Sequence, residues 1–343
     1  MMFLFFSFLF FISFNAILTI SPNLNFQNPK REDFQTEIDG KKVDLFFLTN
    51  NNGYEISITN YGGTIISIMF PNNKNQFENI IQGYTTLEEL ITKENKNSIL
   101  GPYANKIKNN EFSLDNKIYK LNENYCTNLG QKIFTVVQIN SNELRLFYTL
   151  EEKENPLPGV LHIEIVYILN DNNEFKISYT GITNKKTFVN LSQRLLFNLN
   201  GNQDEEINNQ ILKLNSKLYL STDENKIPLG DIKLVDNTIY DYKSEKILGE
   251  KNLDEYFILD KKYLENKDKY SFGALLQDKK TGRKIEVYTT EPGIHIIKNK
   301  YGISIEPKHF PNSPNVGFFP STLLKPGHLY QQETVYKFDV NQD

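Results

Sequence analysis

The sequence predicts an all-β protein, built as a large sandwich of antiparallel sheets. Apolar and polar residues alternate with a period of two over residues 54–59 and again over residues 161–167, which is the pattern of half-buried strands. Turn signals recur at short intervals, and hairpins that join antiparallel strands account for them most simply. Only residues 85–92 have a helical pattern, so alternating strand and helix units are not expected.

Clusters of Asn, Asp, Gly or Pro divide the chain into hairpins. These residue types tolerate a positive φ or fix φ, so they favour turns between strand-like segments. We predict turns at residues 60–63 (Asn-Tyr-Gly-Gly), 71–73 (Pro-Asn-Asn), 140–142 (Asn-Ser-Asn), 170–173 (Asn-Asp-Asn-Asn), 229–231 (Leu-Gly-Asp) and 280–282 (Lys-Thr-Gly).

The composition favours a folded protein, whereas the length alone is compatible with one domain or two. Of the 343 residues, 39% are hydrophobic, including 25 Phe and 19 Tyr, which is enough for a substantial core. No linker, repeat or low-complexity tract interrupts residues 43–340. We therefore expect residues 43–340 to form a single domain, preceded by a short N-terminal segment over residues 23–42.

The charge balance excludes several classes of function. The 38 Lys and Arg residues nearly cancel the 42 Asp and Glu residues, so there is no basic surface for nucleic acid. The lone Cys126 has no disulfide partner in the chain, and we expect a buried free thiol. The four histidines do not have metal-ligand spacing, and no metal is expected; they are His162, His295, His309 and His328.

The N-terminus predicts secretion. Residues 3–20 are almost wholly apolar, and we expect residues 1–22 to act as a signal peptide. The run is also close to the ~20 residues that span a bilayer, so an uncleaved membrane anchor is the alternative. The sequon at Asn190 is either glycosylated at the surface or buried and unmodified.

Two carboxylates within apolar stretches are the candidates for chemistry, because a buried acid must be paired, shifted in pKa or used. Glu306 ends a strand-like run just before a turn that contains proline, and Asp254 opens another strand. Acids at strand ends also cap turns and form surface ion pairs, which is the alternative for each. The motifs of serine nucleophiles, phosphate-binding loops and Cys-x-x-Cys pairs are absent.

Beyond residue 45 the chain resembles the aldose 1-epimerase (galactose mutarotase) family. The matching segments follow the family's order: residues 58–67 (ITNYGGTIIS), 83–89 (GYTTLEE), 101–107 (GPYANKI), 158–159 (PG), 189–201 (VNLSQRLLFNLNG), 227–232 (IPLGDI), 281–283 (TGR), 290–293 (TEPG) and 306–311 (EPKHFP). The resemblance implies a β-supersandwich, in agreement with the period of two.

The same resemblance implies an enzyme that interconverts the α and β anomers of a free hexose, galactose or glucose, without a cofactor. In the family a base takes the proton of the anomeric hydroxyl, an acid protonates the ring oxygen, and the open aldehyde rotates before the ring closes. Glu306 matches the family's catalytic base and Asp254 an acid that binds sugar hydroxyls. Asn105 matches the Asn of the family's Gly-Arg-Tyr-Ala-Asn-Arg motif.

Three family positions are altered here. The first Arg of that motif is Pro102, which removes a charged group for a sugar hydroxyl, and the Leu-His-Gly-Gly stretch appears as residues 128–131 (NLGQ) without its His. The His that acts as general acid falls on Arg194, whose guanidinium stays protonated at neutral pH and so cannot cycle as a proton donor. Arg194 either stabilises charge on the substrate or forms a salt bridge that lowers the pKa of Glu306.

Four functions follow from these observations. The first is a secreted epimerase of reduced or lost activity, and the second is a secreted, non-catalytic carbohydrate-binding protein. The third is a glycosidase, which requires the carboxylates of Asp254 and Glu306 to lie ~5–9.5 Å apart. The fourth is an interaction protein whose cleft is filled by Arg194. A hexose is the expected partner, a membrane is one only if residues 1–20 remain as an anchor, and the sequence carries no signal for oligomeric state.

Overall fold

The computed structural model describes residues 28–93, 97–123, 125–126, 128–261 and 269–341. The predicted leader, residues 1–22, lies outside these ranges, as does the start of the N-terminal segment. Within the described ranges, no helix is both long enough and apolar enough to cross a membrane. The segment that precedes the first large sheet contains a 3-10 helix, Arg31–Phe34, in which Phe34 is buried.

The largest sheet has nine antiparallel strands in the described part of the chain. Its strand Leu161–Leu169 alternates between buried and more exposed residues, because one face packs on the core and the other faces outward. In spatial order the strands are Thr135–Asn140, Glu143–Leu150, Leu161–Leu169, Glu174–Thr183, Tyr330–Val340, Arg283–Thr289, Ser271–Gln277, Ile211–Leu214 and Lys246–Ile247.

A second sheet, of six strands among the described residues, is covered on both faces at its centre. All six residues of Ile303–Lys308 are buried, so charged side chains on this strand must be paired inside the protein. In spatial order the strands are Leu196–Phe197, Ile303–Lys308, Gly293–Lys298, Leu253–Ile258, Leu218–Thr222 and Pro228–Leu234.

The other sheets among the described residues are smaller, and their strands also pair in antiparallel fashion. A four-stranded sheet has the order Leu45–Thr49, Glu55–Thr59, Thr64–Pro71 and Phe77–Asn79. The two-stranded sheets pair Thr36–Ile38 with Lys41–Val43, Glu111–Leu114 with Lys117–Lys120, Ser192–Gln193 with Ile99–Leu100, and Thr187–Phe188 with Leu323–Leu324. The predicted all-β fold of large antiparallel sheets is confirmed.

Helical structure is sparse in the described ranges. The α-helix Leu87–Thr92 confirms the helical pattern of residues 85–92, and the side chain of Thr86 caps it by accepting from the Glu89 amide. The other helical turns are the 3-10 segments Arg31–Phe34, Lys108–Asn110, Asn128–Gln131 and Ser313–Asn315.

One predicted turn is wrong, whereas the other five lie between strands as expected. Residues 229–231 lie inside the strand Pro228–Leu234, at the edge of the six-stranded sheet. Gly230 has a φ of +117°, and a Cβ there would lie 3.0 Å from the ring of Phe318. The glycine therefore marks an irregular edge strand, where close packing and an unusual φ are required, and not a reversal of the chain.

A buried arginine links two of the sheets. Arg283 is fully buried, and its guanidinium donates to the carboxylate of Glu78 over 2.6 Å and to the carbonyls of Phe70 and Leu199. Because these acceptors lie on different segments, the single side chain fixes the nine-stranded sheet against the four-stranded one.

Candidate active site

The register of the six-stranded sheet surrounds Glu306 with polar side chains. His295 is directly opposite Glu306 on the neighbouring strand, and Tyr256 is directly opposite His295 on the next strand. Opposite residues of antiparallel strands share a face, and so do residues two apart on one strand. The polar residues on this face are Asp254, Tyr256, His295, Ser304, Glu306 and Lys308.

The carboxylate of Glu306 is fully buried and is held by two cations and a hydroxyl. Arg194 Nε and Ser304 Oγ each donate to Oε1 over 2.9 Å, and Lys308 Nζ donates to Oε2 over 2.5 Å. Burial raises the pKa of this carboxyl, but the Lys308 ammonium and the Arg194 guanidinium outweigh burial and hold the pKa well below its usual range. Glu306 is therefore ionised and weakly basic.

His295 lies between the carboxylates of Asp254 and Glu306. Its Nε2 is 2.7 Å from Asp254 Oδ1, its Nδ1 is 3.8 Å from Glu306 Oε2, and its ring stacks on Tyr256 with centroids 3.8 Å apart. Burial, reinforced by the charge of Lys308, lowers the pKa of His295 to about 4. The imidazole is therefore neutral at pH 7.

The tautomer of His295 follows from its partner. The hydrogen bond with His295 lowers the pKa of Asp254, so this carboxylate is ionised at neutral pH and can only accept. Nε2 therefore carries the proton, and Nδ1 carries a lone pair. Among the described residues Nδ1 has no hydrogen-bond partner, although the atom is buried.

A cavity of about 210 Å³ borders these side chains. Arg194, His295 and Lys308 form part of its wall, whereas both oxygens of Glu306 are engaged behind that wall. The lining residues are Leu100, Ala104, Asn105, Lys106, Cys126, Arg194, Lys226, Asp254, Tyr256, His295, Ile297 and Lys308.

The structure brings the predicted site residues together. Asp254, Asn105 and Arg194 line the cavity, and Glu306 lies directly behind Arg194. The Asn105 amide donates to the carbonyl of His309 over 2.9 Å, which fixes the side chain at the cavity wall.

Two residues of the cluster were not predicted as site residues, His295 and Lys308. Of the four histidines, His162 bonds Thr149 at the surface and His309 pairs with a glutamate beside another cavity, whereas His295 enters this one. The spacing of two between Glu306 and Lys308 on a strand could have indicated Lys308. No sequence signal places His295, because the register of strand pairing is not written in either strand alone.

Two further expectations are resolved by burial. The Cys126 thiol is free, as expected, but it is only partly buried at the cavity wall, so the expectation of a buried thiol is wrong in that respect. Burial raises the pKa of this thiol. Asn190 of the sequon is fully buried and donates to the carbonyls of Ala104 and His309, which corresponds to the unmodified alternative.

Several known proteins are similar to this chain in sequence or in structure. The chain is 29% identical over 323 residues to galactose mutarotase from Sus scrofa, which covers 86% of this chain and 94% of that protein. It is 25% identical over 340 residues to aldose 1-epimerase from Escherichia coli K12, and this match covers 88% of this chain and 96% of that protein. The structure of an aldose epimerase homologue from C. elegans matches with a TM-score of 0.81 at 23% identity, over 87% of this chain and 99% of that chain. The structure of galactose 1-epimerase from Lactobacillus acidophilus matches with a TM-score of 0.76 at 20% identity, over 90% of this chain and 98% of that chain.

The fold and the site define a class of protein, an all-β sandwich with titratable side chains clustered beside a small cavity. The sequence model of the family described as aldose 1-epimerase matches residues 44–337. The chain belongs to the aldose 1-epimerase family.

Proposed function

We propose that this protein is an aldose 1-epimerase that interconverts the α and β anomers of a free hexose. The observation that carries the proposal is the row formed by Asp254, His295 and Glu306. Asp254, His295 and the neighbouring Lys308 line a cavity, and Glu306 lies behind its wall. Groups that can take up and release protons thus border a space for a small polar ligand. Family membership and the names of the relatives, galactose mutarotase and aldose 1-epimerase, support the proposal.

The reaction requires two proton transfers and no cofactor. One group takes the proton of the anomeric hydroxyl while another protonates the ring oxygen, and the C1–O5 bond breaks to give the aldehyde. The resemblance gives Glu306 the position of the base, but its ion pairs with Arg194 and Lys308 reduce its basicity. Arg194 stays protonated and cannot be the acid. Losing the usual acid lowers the rate by ~10²–10⁴-fold where nothing replaces it.

The cavity wall has the chemistry to hold a neutral hexose. The Asp254 carboxylate accepts hydrogen bonds and Arg194 donates them, and a sugar hydroxyl can do both. Asn105 supplies an amide at the same wall. We propose that these three side chains bind the hydroxyls of galactose or glucose.

A non-catalytic carbohydrate-binding protein is the second candidate. It is favoured by the ion pairs of Glu306 with Arg194 and Lys308, which separate the carboxylate from the cavity. Under this alternative the same wall binds a sugar, but anomer exchange proceeds at the rate in buffer. Binding and catalysis must therefore be measured separately.

Polarimetry of freshly dissolved α-D-galactose and α-D-glucose distinguishes the two candidates. We expect the protein to accelerate the change of rotation over buffer, and Asp254→Asn to remove most of the acceleration. Asp231→Asn is the matched control, because Asp231 is exposed on an edge strand away from the cavity. If calorimetry shows that the protein binds the sugar, but polarimetry shows no acceleration, the epimerase proposal is rejected in favour of the carbohydrate-binding protein.

The apolar run at residues 3–20 supports a further part of the proposal, that the protein is secreted. Expression of the full chain in a secretory host, followed by mass measurement of the exported protein, tests this. A mass that lacks about the first 22 residues supports secretion, and retention of the full chain in the membrane fraction supports the anchor instead.

A further inference from the structure

We propose that His295 and Lys308 carry out the two proton transfers, and that Glu306 is their counter-ion. His295 Nδ1 takes the proton of the anomeric hydroxyl, and Lys308 Nζ gives a proton to the ring oxygen. This assignment rests on the proposed epimerase activity and transfers the role of base from Glu306 to a residue that the sequence did not single out.

The position of His295 is that of a base oriented by a carboxylate. Asp254 fixes Nε2–H over 2.7 Å, and the stacked ring of Tyr256 holds the plane of the imidazole. The remaining nitrogen, Nδ1, is buried, unpartnered among the described atoms, and belongs to a side chain that lines the cavity. A hydroxyl of a bound sugar would supply the missing donor, and the imidazolium formed on proton transfer would lie between the carboxylates of Asp254 and Glu306.

Lys308 is the group best placed to act as the acid. Lys308 lines the cavity, and its ammonium lies 2.5 Å from Glu306 Oε2, the same oxygen that His295 Nδ1 approaches to 3.8 Å. The anomeric oxygen and the ring oxygen are bonded to one carbon, so the base and the acid that serve them must lie close together. Burial lowers the pKa of Lys308, which makes this ammonium a better proton donor than an exposed lysine.

Other groups at the wall are less suited to the acid role. The guanidinium of Arg194 does not release its proton at neutral pH. Burial raises the pKa of the Tyr256 hydroxyl well above its usual value and raises that of the Cys126 thiol, so both hold their protons more tightly than usual. Lys226 is drawn toward Glu255, 3.2 Å away.

Glu306 has the contacts of a counter-ion. Its Oε1 accepts from Arg194 and Ser304, its Oε2 accepts from Lys308, and the side chain is fully buried. A base must present a lone pair to its substrate, whereas these contacts engage three of the four lone-pair sites of a carboxylate that is fully buried and does not line the cavity. The negative charge instead keeps the buried ammonium of Lys308 and the partly buried guanidinium of Arg194 charged at the cavity wall.

The proton balance closes without an added reactant. The proton of O1 moves to His295 Nδ1 as the C1–O1 bond becomes a carbonyl, the C1–O5 bond breaks, and O5 receives a proton from Lys308 Nζ. After the aldehyde turns about the C1–C2 bond, neutral Lys308 takes the O5 proton as O5 attacks the other face of C1. The imidazolium returns its proton to O1, which restores both side chains.

The base role is tested by polarimetric kcat and KM of His295→Gln, which keeps a polar side chain of similar reach. We expect kcat to fall by ~10²–10⁴-fold with little change in KM. His162→Gln is the matched control, since His162 lies at the surface. In His295→Ala, added imidazole should restore part of kcat. Free imidazole also catalyses the reaction by itself, so the increase that it causes with His162→Ala is measured and subtracted. His295→Gln with the kcat and pH profile of the unaltered protein would overturn the base role.

The acid role is tested with Lys308→Arg, which keeps the positive charge beside Glu306 but cannot release a proton. We expect kcat to fall by ~10²–10⁴-fold. The activity of the unaltered protein should decline at high pH, where Lys308 loses its proton, and the residual activity of Lys308→Arg should not show this decline. The charged or titratable groups that face Lys308 are Glu306, Arg194, Cys126 and His295. Full kcat in Lys308→Arg would overturn the acid role.

The outcomes separate this assignment from the proposed function. If the unaltered protein does not accelerate mutarotation, the epimerase proposal fails and the assignment fails with it. If the unaltered protein is active and Glu306→Gln abolishes activity while His295→Gln keeps it, the epimerase proposal stands and Glu306 is the base. Loss in His295→Gln with imidazole rescue in His295→Ala supports the assignment.

Discussion

Acidification should destabilise this protein through His295. In the unfolded chain a histidine has a pKa near 6.5, whereas burial and the nearby Lys308 lower the pKa of His295 in the fold to about 4. Between these two values the unfolded state binds a proton that the folded state does not bind. Because stability rises with pH wherever the unfolded state binds more protons, the free energy of unfolding must fall as the pH is lowered through this window.

The size of the effect follows from the difference between the two pKa values. Each unit corresponds to ~1.4 kcal/mol, so the buried imidazole contributes a loss of about 3 kcal/mol between pH 7 and pH 4. Above the window both states are neutral, and below it both are protonated, so the contribution is constant outside it. The loss is large beside the ~5–15 kcal/mol that stabilises a typical domain.

Urea denaturation at a series of pH values isolates this contribution when the unaltered protein is compared with His295→Gln. Titrating groups that do not contact His295, such as His309 with its pKa raised by Glu291, contribute to both proteins and cancel in the difference. We expect the stability of the unaltered protein relative to His295→Gln to fall by about 3 kcal/mol from pH 7 to pH 4.

The opposite sign would refute the reasoning. If the carboxylates of Asp254 and Glu306 outweighed burial, His295 would be protonated in the fold, and the unaltered protein would gain stability relative to His295→Gln on acidification. Parallel curves for the two proteins would show that the fold leaves this pKa unchanged. Titration of the His295 ring protons by NMR gives an independent value for the folded state.

Three further changes should lower stability, each measured by the urea midpoint at constant m-value. Lys308→Met removes one of two cations from the buried carboxylate of Glu306 and should cost ~3–5 kcal/mol, whereas equal stability would mean that Arg194 alone compensates the charge. Arg283→Met removes a fully buried guanidinium, which leaves several buried carbonyls without a donor and the partly exposed carboxylate of Glu78 without its cation, so a similar loss of ~3–5 kcal/mol is expected; a loss below ~1 kcal/mol would contradict the linking role. Gly62→Ala should cost at least ~1–3 kcal/mol, because φ is +68° and the new Cβ would lie 2.2 Å from a neighbouring carbonyl oxygen; an unchanged midpoint would mean that this turn can move.

Local patterns were sufficient for much of the fold. Half-buried strands such as Leu161–Leu169 have one face on the core, so their period of two is visible in the sequence. The central strand Ile303–Lys308 also alternates apolar and polar residues, but it is buried on both faces, so the alternation alone does not show that its charged residues lie inside the protein. Gly230 was misinterpreted because glycine serves both in turns and in irregular edge strands, and only the pairing partner distinguishes the two.

The sequence by itself determined the all-β class, the family, and the candidates Glu306, Asp254, Asn105 and Arg194, because these depend on residue types and on their order along the chain. Only the tertiary structure decided how they meet. The register that sets His295 opposite Glu306 and the ion pairs that engage both oxygens of Glu306 join residues far apart in the chain. Ionisation, basicity and access to the cavity follow from those contacts, since they depend on distance and burial and not on residue type alone.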